Sequence, residues 1–178
     1  MKIADIRKWH PCSTATELIK TYANRELNPI EILTTPILKG KDDWRLWVVL
    51  REEVIDAKTL RLFACACAEL ALKRRKNTDK CSWSAIKTAR LYAKGKATNI
   101  ELNAAYADAV SHADATIAAG AATYAAYPSA ANAANYAVAY ATDAANYNTE
   151  KEWQCKHLLK ILKRGINPAK FLKGEKWQ

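Results

Sequence analysis

The feature that most constrains this chain is residues 98–148, a stretch that holds 21 alanines and no lysine or arginine. Alanine has the highest intrinsic helix propensity, and its small side chain lets helix axes approach closely. Six of the eight tyrosines also lie here, and their rings can fill the gaps between such helices. Pro128 interrupts the stretch, because proline does not fit in a helix interior. We therefore predict an antiparallel hairpin of two helices, one reaching Ala126 and the other running from Ser129 to about Tyr147.

The first helix of this hairpin carries a regular stripe of apolar and aromatic side chains. Thr98-x-x-Glu101 is a capping box that would start the helix. Steps of three and four residues keep side chains on one side of a helix. The stripe consists of Tyr106, Val110, Ala113, Ile117, Ala121 and Tyr124. We expect the tyrosines to pack the centre of a bundle; the alternative, in which they line a ligand-binding groove, stays open.

The rest of the chain predicts shorter helices with recognisable ends. N-terminal caps favour Ser, Thr, Asp and Asn, and Gly95 has the position of a C-terminal glycine. The predicted caps are Thr14, Asn28, Asp42, Asp56, Ser82, Ser129 and Thr149. No segment alternates apolar and polar residues with a period of two, as a half-buried strand would. We therefore predict an all-α fold, a compact multi-helix bundle of about eight helices around the Ala/Tyr-rich hairpin.

A length of 178 residues favours one domain, because a chain of this size can bury one substantial core. Composition divides it into short N-terminal helices in 1–55, basic helices in 56–97, the hairpin in 98–148 and basic C-terminal helices in 149–178. The apolar runs are too short and too often charged to span a membrane. The N-terminus lacks the apolar segment of a signal peptide, so we expect a cytoplasmic protein without membrane association.

Five cysteines and three histidines are the residues best able to bind metal or to act in catalysis. An odd number of cysteines in a reducing compartment predicts free thiols. Cys65 and Cys67 are two positions apart, which places them on different sides of a helix and favours the core over a zinc site. Asp108 and His112 would form a helical pair with no nucleophile facing it. We therefore predict no catalytic residue, no metal site and no cofactor, and hence no enzyme.

The net charge of +10 is unevenly distributed. Residues 98–148 contain four acidic residues, so the remainder carries all 28 basic residues and 14 of the 18 acidic ones. Two basic helix faces result, and Trp83 and Trp153 beside them could stack on a nucleic-acid base. The candidate ligand- or partner-binding residues are Arg74, Arg75, Lys80, Trp83, Lys87, Arg90, Lys94, Lys156, Lys160 and Lys163. The alternative, in which these bases are only solvated helix surfaces, also stays open.

Several short segments resemble a known group of proteins. They are Trp9-His10-Pro11-Cys12, Asp43-Trp44-x-x-Trp47, Cys65-x-Cys67-Ala68, Ala85-Ile86-Lys87-Thr88-Ala89-Arg90-Leu91-Tyr92-Ala93-x-Gly95 and Trp153-Gln154. Their order is similar to that in a group of small uncharacterised proteins of tailed phages and prophages. The central part, from Phe63 to Ala145, also resembles the all-helical immunity domain found beside polymorphic toxins. This chain departs from the immunity group in residues 1–55 and in its strong positive charge.

The resemblance implies a protein that acts by binding and has no catalytic site. Proteins of either group would neutralise a toxin or block a host defence factor, for a phage protein in the cytoplasm of the host cell. The positive charge favours an acidic protein surface or a nucleotide-like anion as the target. We therefore expect a phage accessory protein that inhibits a host defence factor or toxin by stoichiometric binding. The alternative is a nucleic-acid-binding protein that uses its basic helices.

Overall fold

The computed structural model describes residues 3–9, 19–20, 25–76, 79–112, 116–143 and 146–165. Within these ranges it contains eight α-helices, two short 3-10 helices and no strand, which confirms the predicted all-α bundle. The α-helices are α1 (Pro29–Thr34), α2 (Asp42–Val49), α3 (Ala57–Arg74), α4 (Lys80–Ala93), α5 (Asn99–His112), α6 (Ile117–Ala125), α7 (Ala130–Asp143) and α8 (Tyr147–Gly165). The 3-10 helices are Ile3–Trp9 and Pro36–Leu38.

The centre of the bundle is α3, which packs against α4, α6, α7 and α8. Its buried side carries Leu60, Phe63 and Leu72, with alanines and cysteines between them. The small side chains allow several helices to approach one axis closely. Asp56 caps α3 as predicted, because its carboxylate accepts a hydrogen bond of 2.9 Å from the backbone N–H of Thr59.

The helical hairpin within the Ala/Tyr-rich stretch is formed by α6 and α7, which pack against each other and against α3. Gly120 permits this close approach. A Cβ atom at this position would lie 2.6 Å from Cδ1 of Tyr140 on α7, which is well inside van der Waals contact. The four residues 126–129 join the two helices, and a connection this short makes them antiparallel neighbours.

Arg61 of α3 fixes the turn between α6 and α7. Its side chain is almost completely buried, and its guanidinium donates hydrogen bonds to the carbonyl oxygens of Ala125, Tyr127 and Pro128. The last carbonyls of a helix have no partner within the helix, so a donor from elsewhere must satisfy them when they are buried. One side chain thereby ties the central helix to the end of α6.

The predicted single helix from Thr98 to Ala126 is wrong, because α5 and α6 occupy this range. The start is as predicted: Thr98 and Glu101 form a reciprocal capping box, with N–H to oxygen distances of 2.6 and 3.2 Å. The second helix has a cap of its own, since Thr116 Oγ1 accepts a hydrogen bond of 3.2 Å from Ala119 N–H. The side-chain oxygen of Thr116 therefore starts α6 where the helix was expected to continue.

The predicted stripe consequently does not form one buried face. Val110 of α5 is 59% exposed and Ile117 of α6 is 48% exposed. Ala113 lies outside the described residues. The second helix of the hairpin also ends earlier than predicted, at Asp143, and Tyr147 is the first residue of α8.

Three predicted caps are also corrected, and each true cap precedes the predicted residue. Asp79 caps α4 by accepting hydrogen bonds from the N–H groups of Cys81 and Ser82, so Ser82 lies in the first turn. An aspartate reaches two such donors with its two oxygens, whereas a serine has one oxygen. Asn146 takes the place of Thr149 at α8. Lys41 occupies the N-cap position of α2 in place of Asp42, and its side chain makes no capping hydrogen bond.

The remaining predicted helix ends agree with the structure, except that Thr14 lies outside the described residues. Asn28 and Ser129 accept hydrogen bonds from N–H groups three residues ahead. Gly95 follows α4 with a φ of 68°, a left-handed conformation that glycine adopts without strain. None of the helices within the described ranges combines the length and hydrophobicity that crossing a membrane requires.

A buried polar side chain ties α8 to the bundle. Gln154 is fully buried, and its Nε2 donates hydrogen bonds of 3.2 Å to the carbonyl oxygen of Val138 on α7 and to the carboxylate of Glu150. Glu150 is also buried and forms an ion pair with Arg74 at the end of α3. These contacts hold α8 beside α3 and fix which side of α8 faces outward.

Candidate ligand-binding site

A groove of about 300 Å³ lies between α3 and α8, and we call it the basic groove. Residues from each helix line it with the same spacing of three, four and seven positions, which keeps them on one side of a helix. The lining residues are Ala66, Glu69, Leu70 and Lys73 of α3 and Trp153, Lys156, His157 and Lys160 of α8. Two matching helical stripes therefore face a common space.

Three lysines give the basic groove its charge. Lys73 Nζ lies 2.8 Å from the carboxylate of Glu69, and Lys156 pairs with Glu152 one turn away. Both lysine side chains are more than half exposed, and the Lys156–Glu152 pair, exposed on both sides, contributes little to stability. Lys160 completes the set from one turn further along α8. Lys156 can therefore exchange its present partner for an anionic ligand at low cost.

Among the described residues, Glu69 is the one carboxylate that lines the basic groove, and two cations neutralise it. Lys73 and Arg90 both form ion pairs with it, so Arg90 reaches the groove from α4. Burial on its own would raise the pKa of Glu69, but hydrogen bonds and charges from Lys73 and Arg90 outweigh this effect and lower the pKa. The groove consequently keeps a net positive charge.

Trp153 and His157 form an aromatic stack beside the lysines. Their rings lie face to face with centroids 4.6 Å apart and an interplanar angle of 16°, and Phe63 continues the stack toward the core. Burial, helped by the charges of Lys160 and Arg164, lowers the pKa of His157 to about 4, so the imidazole is neutral at pH 7. Because both neighbours of the His157 ring are already stacked on it, another aromatic ring would extend the stack at Trp153.

The structure brings together only part of the predicted binding set. Lys156 and Lys160 line the basic groove, Arg74 lies 6.0 Å from the centroid of the Trp153 ring, and Arg90 reaches the groove through Glu69. The others lie elsewhere on the described surface: Arg75 at the end of α3, Lys163 on α8, Lys80, Trp83 and Lys87 on α4, and Lys94 directly after α4. Of these, Trp83 is partly buried and packs against the core.

A second basic feature runs along α4. Lys80, Lys87 and Lys94 are exposed, and their spacing of seven residues places them on one side of the helix, each roughly 10 Å beyond the last. Within the described part of the chain these three lysines form no ion pair. We call this set the α4 lysine row.

Sequence reasoning missed Lys73, Glu69 and His157 as residues of one site. Their spacing relative to Ala66 and Trp153 was visible, because both stripes repeat at three and four residues. Nothing in that spacing indicates that α3 and α8 are neighbours. The residues therefore read as two separate surfaces until the packing is known.

The cysteines and histidines considered as metal ligands or catalytic groups have structural roles instead. Cys65 and Cys67 are fully buried, and burial raises the pKa of both thiols, that of Cys65 to about 11. His112 Nδ1 lies 3.1 Å from the Asp108 carboxylate on an exposed surface. No group of histidines, cysteines and carboxylates among the described residues could hold a metal ion.

The tyrosines of α5, α6 and α7 contact one another at the surface. Tyr124 lies at the centre of this cluster, with ring centroids 4.8 Å from Tyr136 and 5.0 Å from Tyr140. Tyr106 and Tyr127 pack at the edge of the cluster, 5.3 Å apart. The rings therefore fill the space between their helices at the surface, whereas the sequence analysis placed them at the centre of the bundle.

No protein-family model, curated protein or solved structure matches this chain. The resemblance to phage proteins therefore stays a prediction. The function must therefore be inferred from the chemistry of the surfaces described above.

Proposed function

We propose that the protein is a non-enzymatic binding protein that takes up a small anionic aromatic ligand, of the nucleotide class, in the basic groove. The observation that carries this proposal is the convergence of three lysines on the stacked rings of Trp153 and His157. Lysine ammonium groups bind phosphate as point charges, and an indole face stacks on a nucleobase. Each half of a nucleotide thus has a matching partner in the groove.

The size of the groove limits what can bind. A volume of about 300 Å³ lies at the lower end of the range for small-molecule sites, which suits one mononucleotide. The titratable groups in the groove favour binding over catalysis, because Glu69 is held by two cations and His157 is a neutral, stacked ring. Capture of a nucleotide would be the stoichiometric inhibition that the resemblance to phage accessory proteins implies.

The test is calorimetric titration of the full chain with ADP, adenosine and inorganic phosphate. We expect ADP to bind with one-to-one stoichiometry. Adenosine and phosphate each lack one half of the recognised ligand, so each should bind at least about tenfold more weakly. Equal affinity for ADP and adenosine would contradict a role for the lysines.

Matched variants on one helix locate the site. Lys73→Gln should weaken ADP binding by about tenfold, because it removes one charge-assisted contact to phosphate. Lys58→Gln is the control: Lys58 is exposed at the start of α3 and does not line the groove. If the two variants bind ADP equally well, the ligand does not occupy the basic groove.

A second candidate function, nucleic-acid binding, is favoured by the α4 lysine row. Unpaired lysines at regular intervals along one helix can follow a phosphate backbone, with affinity that falls steeply as salt rises. Fluorescence anisotropy with a labelled single-stranded oligonucleotide tests this function. Lys87→Gln and Lys94→Gln should each reduce the dependence of log affinity on log salt by about 0.7, since each removes one phosphate contact. An unchanged salt dependence in both variants would exclude the row as a nucleic-acid surface.

A further inference from the structure

A second groove, of about 460 Å³, lies between α2 and α7 on a different surface of the bundle. Its lining is mainly apolar and aromatic, and it also includes one ammonium group and one carboxylate. The lining residues are Asp43, Trp44, Leu46, Trp47, Leu50, Asn135, Val138, Ala139 and Lys151. We call it the Trp44 groove. An apolar cavity of this size with a few polar groups is typical of small-molecule sites.

The aromatic wall of the Trp44 groove is held in place from behind. Trp44 and Trp47 meet edge to face, with centroids 5.6 Å apart. The guanidinium of Arg51 lies 4.7 Å from the Trp47 centroid and 4.1 Å from the Trp9 centroid, so it contacts both indole rings. Cation–π contacts of this kind restrict the orientation of the rings. The wall is thus organised before any ligand arrives.

Lys151 of α8 gives the Trp44 groove its specific chemistry. Its side chain is partly buried, and burial lowers its pKa, although the negative charge of Asp43 opposes this effect. Among the described residues, the ammonium group makes no hydrogen bond and has no carboxylate within 4 Å; it lies 5.7 Å from the centroid of the Tyr147 ring. A partly buried ammonium group without a hydrogen-bonding partner costs free energy, and an anion beside it would recover part of that cost.

Asn135 and Asp43 restrict the charge and type of anion that the Trp44 groove can bind. The amide nitrogen of Asn135 already donates hydrogen bonds to the carbonyls of Leu50 and Ala131, so it offers no donor to a phosphate. Asp43 lines the same groove and repels a ligand of high negative charge. A single negative charge paired with Lys151 meets less repulsion from Asp43 than a doubly charged phosphate does. A carboxylate on an apolar ring system has this charge.

We propose that the Trp44 groove binds a small aromatic carboxylate, with its ring against Trp44 and the apolar lining and its carboxylate on Lys151. This site is separate from the basic groove and does not depend on the nucleotide proposal. The two sites differ in chemistry, because the basic groove has three lysines for phosphate, whereas the Trp44 groove has one ammonium group and a large apolar surface.

The test is calorimetric titration of the full chain with 1-naphthoate and with its neutral analogue, 1-naphthamide. The two probes have the same ring system, so their difference reports the contact between carboxylate and ammonium. We expect naphthoate to bind at least about tenfold more tightly than naphthamide, because a charge-assisted contact is present in one and absent in the other. Equal affinities, or no binding of naphthoate, would overturn the proposal without requiring any variant.

Two matched variants then locate the charge that is recognised. Lys151→Met should remove the preference for naphthoate, so that both probes bind with the weak affinity of naphthamide. Lys96→Met is the control, since Lys96 is exposed and lines neither groove. Saturating ADP should leave naphthoate binding unchanged. If Lys151→Met keeps the preference, or if ADP displaces naphthoate, the assignment to the Trp44 groove is wrong.

Discussion

Arg61 and His157 show two ways in which this chain buries a polar side chain. Arg61 keeps its charge, because its guanidinium donates to three carbonyl oxygens at the end of α6. His157 loses its charge, because burial lowers its pKa to about 4. Removing the first side chain would leave buried acceptors without donors. Lowering the pH would force a proton onto the second.

We expect Arg61→Met to lower the free energy of unfolding by about 3 kcal/mol, since it removes the donor of one buried and two partly buried carbonyl oxygens. Methionine fills much of the same volume, so the loss reports hydrogen bonding more than packing. Lys58→Met on the same helix should change stability by less than about 0.5 kcal/mol, because it alters an exposed side chain. Urea denaturation monitored by circular dichroism measures both. Equal urea midpoints for Arg61→Met and Lys58→Met would show that Arg61 does not hold the α6–α7 turn.

The lowered pKa of His157 predicts a dependence of stability on pH. The unfolded chain binds a proton on this side chain near its ordinary pKa, whereas the folded protein binds it only near pH 4. Stability is therefore lost as the pH falls from about 7 toward 4. Between pH 7.5 and pH 5 the loss from this group should be about 2 kcal/mol. His157→Phe removes this pH-dependent loss, so the variant should lose about 2 kcal/mol less stability than the wild type between pH 7.5 and pH 5. Parallel profiles of stability against pH for the two proteins would contradict a buried neutral histidine.

The spacing between elements depends on small residues, and Gly120 is the clearest case. Alanine at this position would gain helix propensity of about 1 kcal/mol, but its Cβ would overlap the ring of Tyr140. Overpacking costs about 1–3 kcal/mol, so Gly120→Ala should destabilise the protein overall. In a Tyr140→Ala background the overlap is absent, and the same change should stabilise it. Chemical denaturation of the wild type, the two single variants and the double variant completes a double-mutant cycle. Additive effects of the two substitutions would contradict close contact between α6 and α7.

The starts of three helices were predicted correctly. Asn28, Asp56 and Ser129 cap these helices, although Thr59 and Asn132 lie three positions after the last two. Where two capping residues lie close together, local pattern does not choose between them: Asp79 precedes Ser82, and Asn146 precedes Thr149. The break before α6 was hidden for a related reason. Threonine is tolerated within helices, and the alanines around Thr116 favour helix on both sides.

At the scale of the whole molecule, the charged residues and the helices could be predicted from the sequence, but which helices pack against each other could not. Lys156, Lys160 and Arg90 were identified as binding candidates from charge and periodicity alone. Their assembly with Lys73 and His157 depends on the packing of α8 against α3, which buried contacts such as Gln154 with Val138 determine. Periodicity describes which residues share one side of a helix. It contains no information about which helix that side meets.

Binding of an anionic aromatic ligand in the basic groove is tested most directly by one measurement. Nitrogen-15 correlation spectra of the labelled protein, recorded during titration with ADP, report each tryptophan indole N–H separately. Trp153→Phe identifies the resonance of the groove tryptophan. We predict that this resonance shifts with ADP and reaches saturation, while those of Trp44 and Trp83 stay in place. An unchanged Trp153 resonance at saturating ADP, or larger shifts at the other two, would contradict binding in the basic groove.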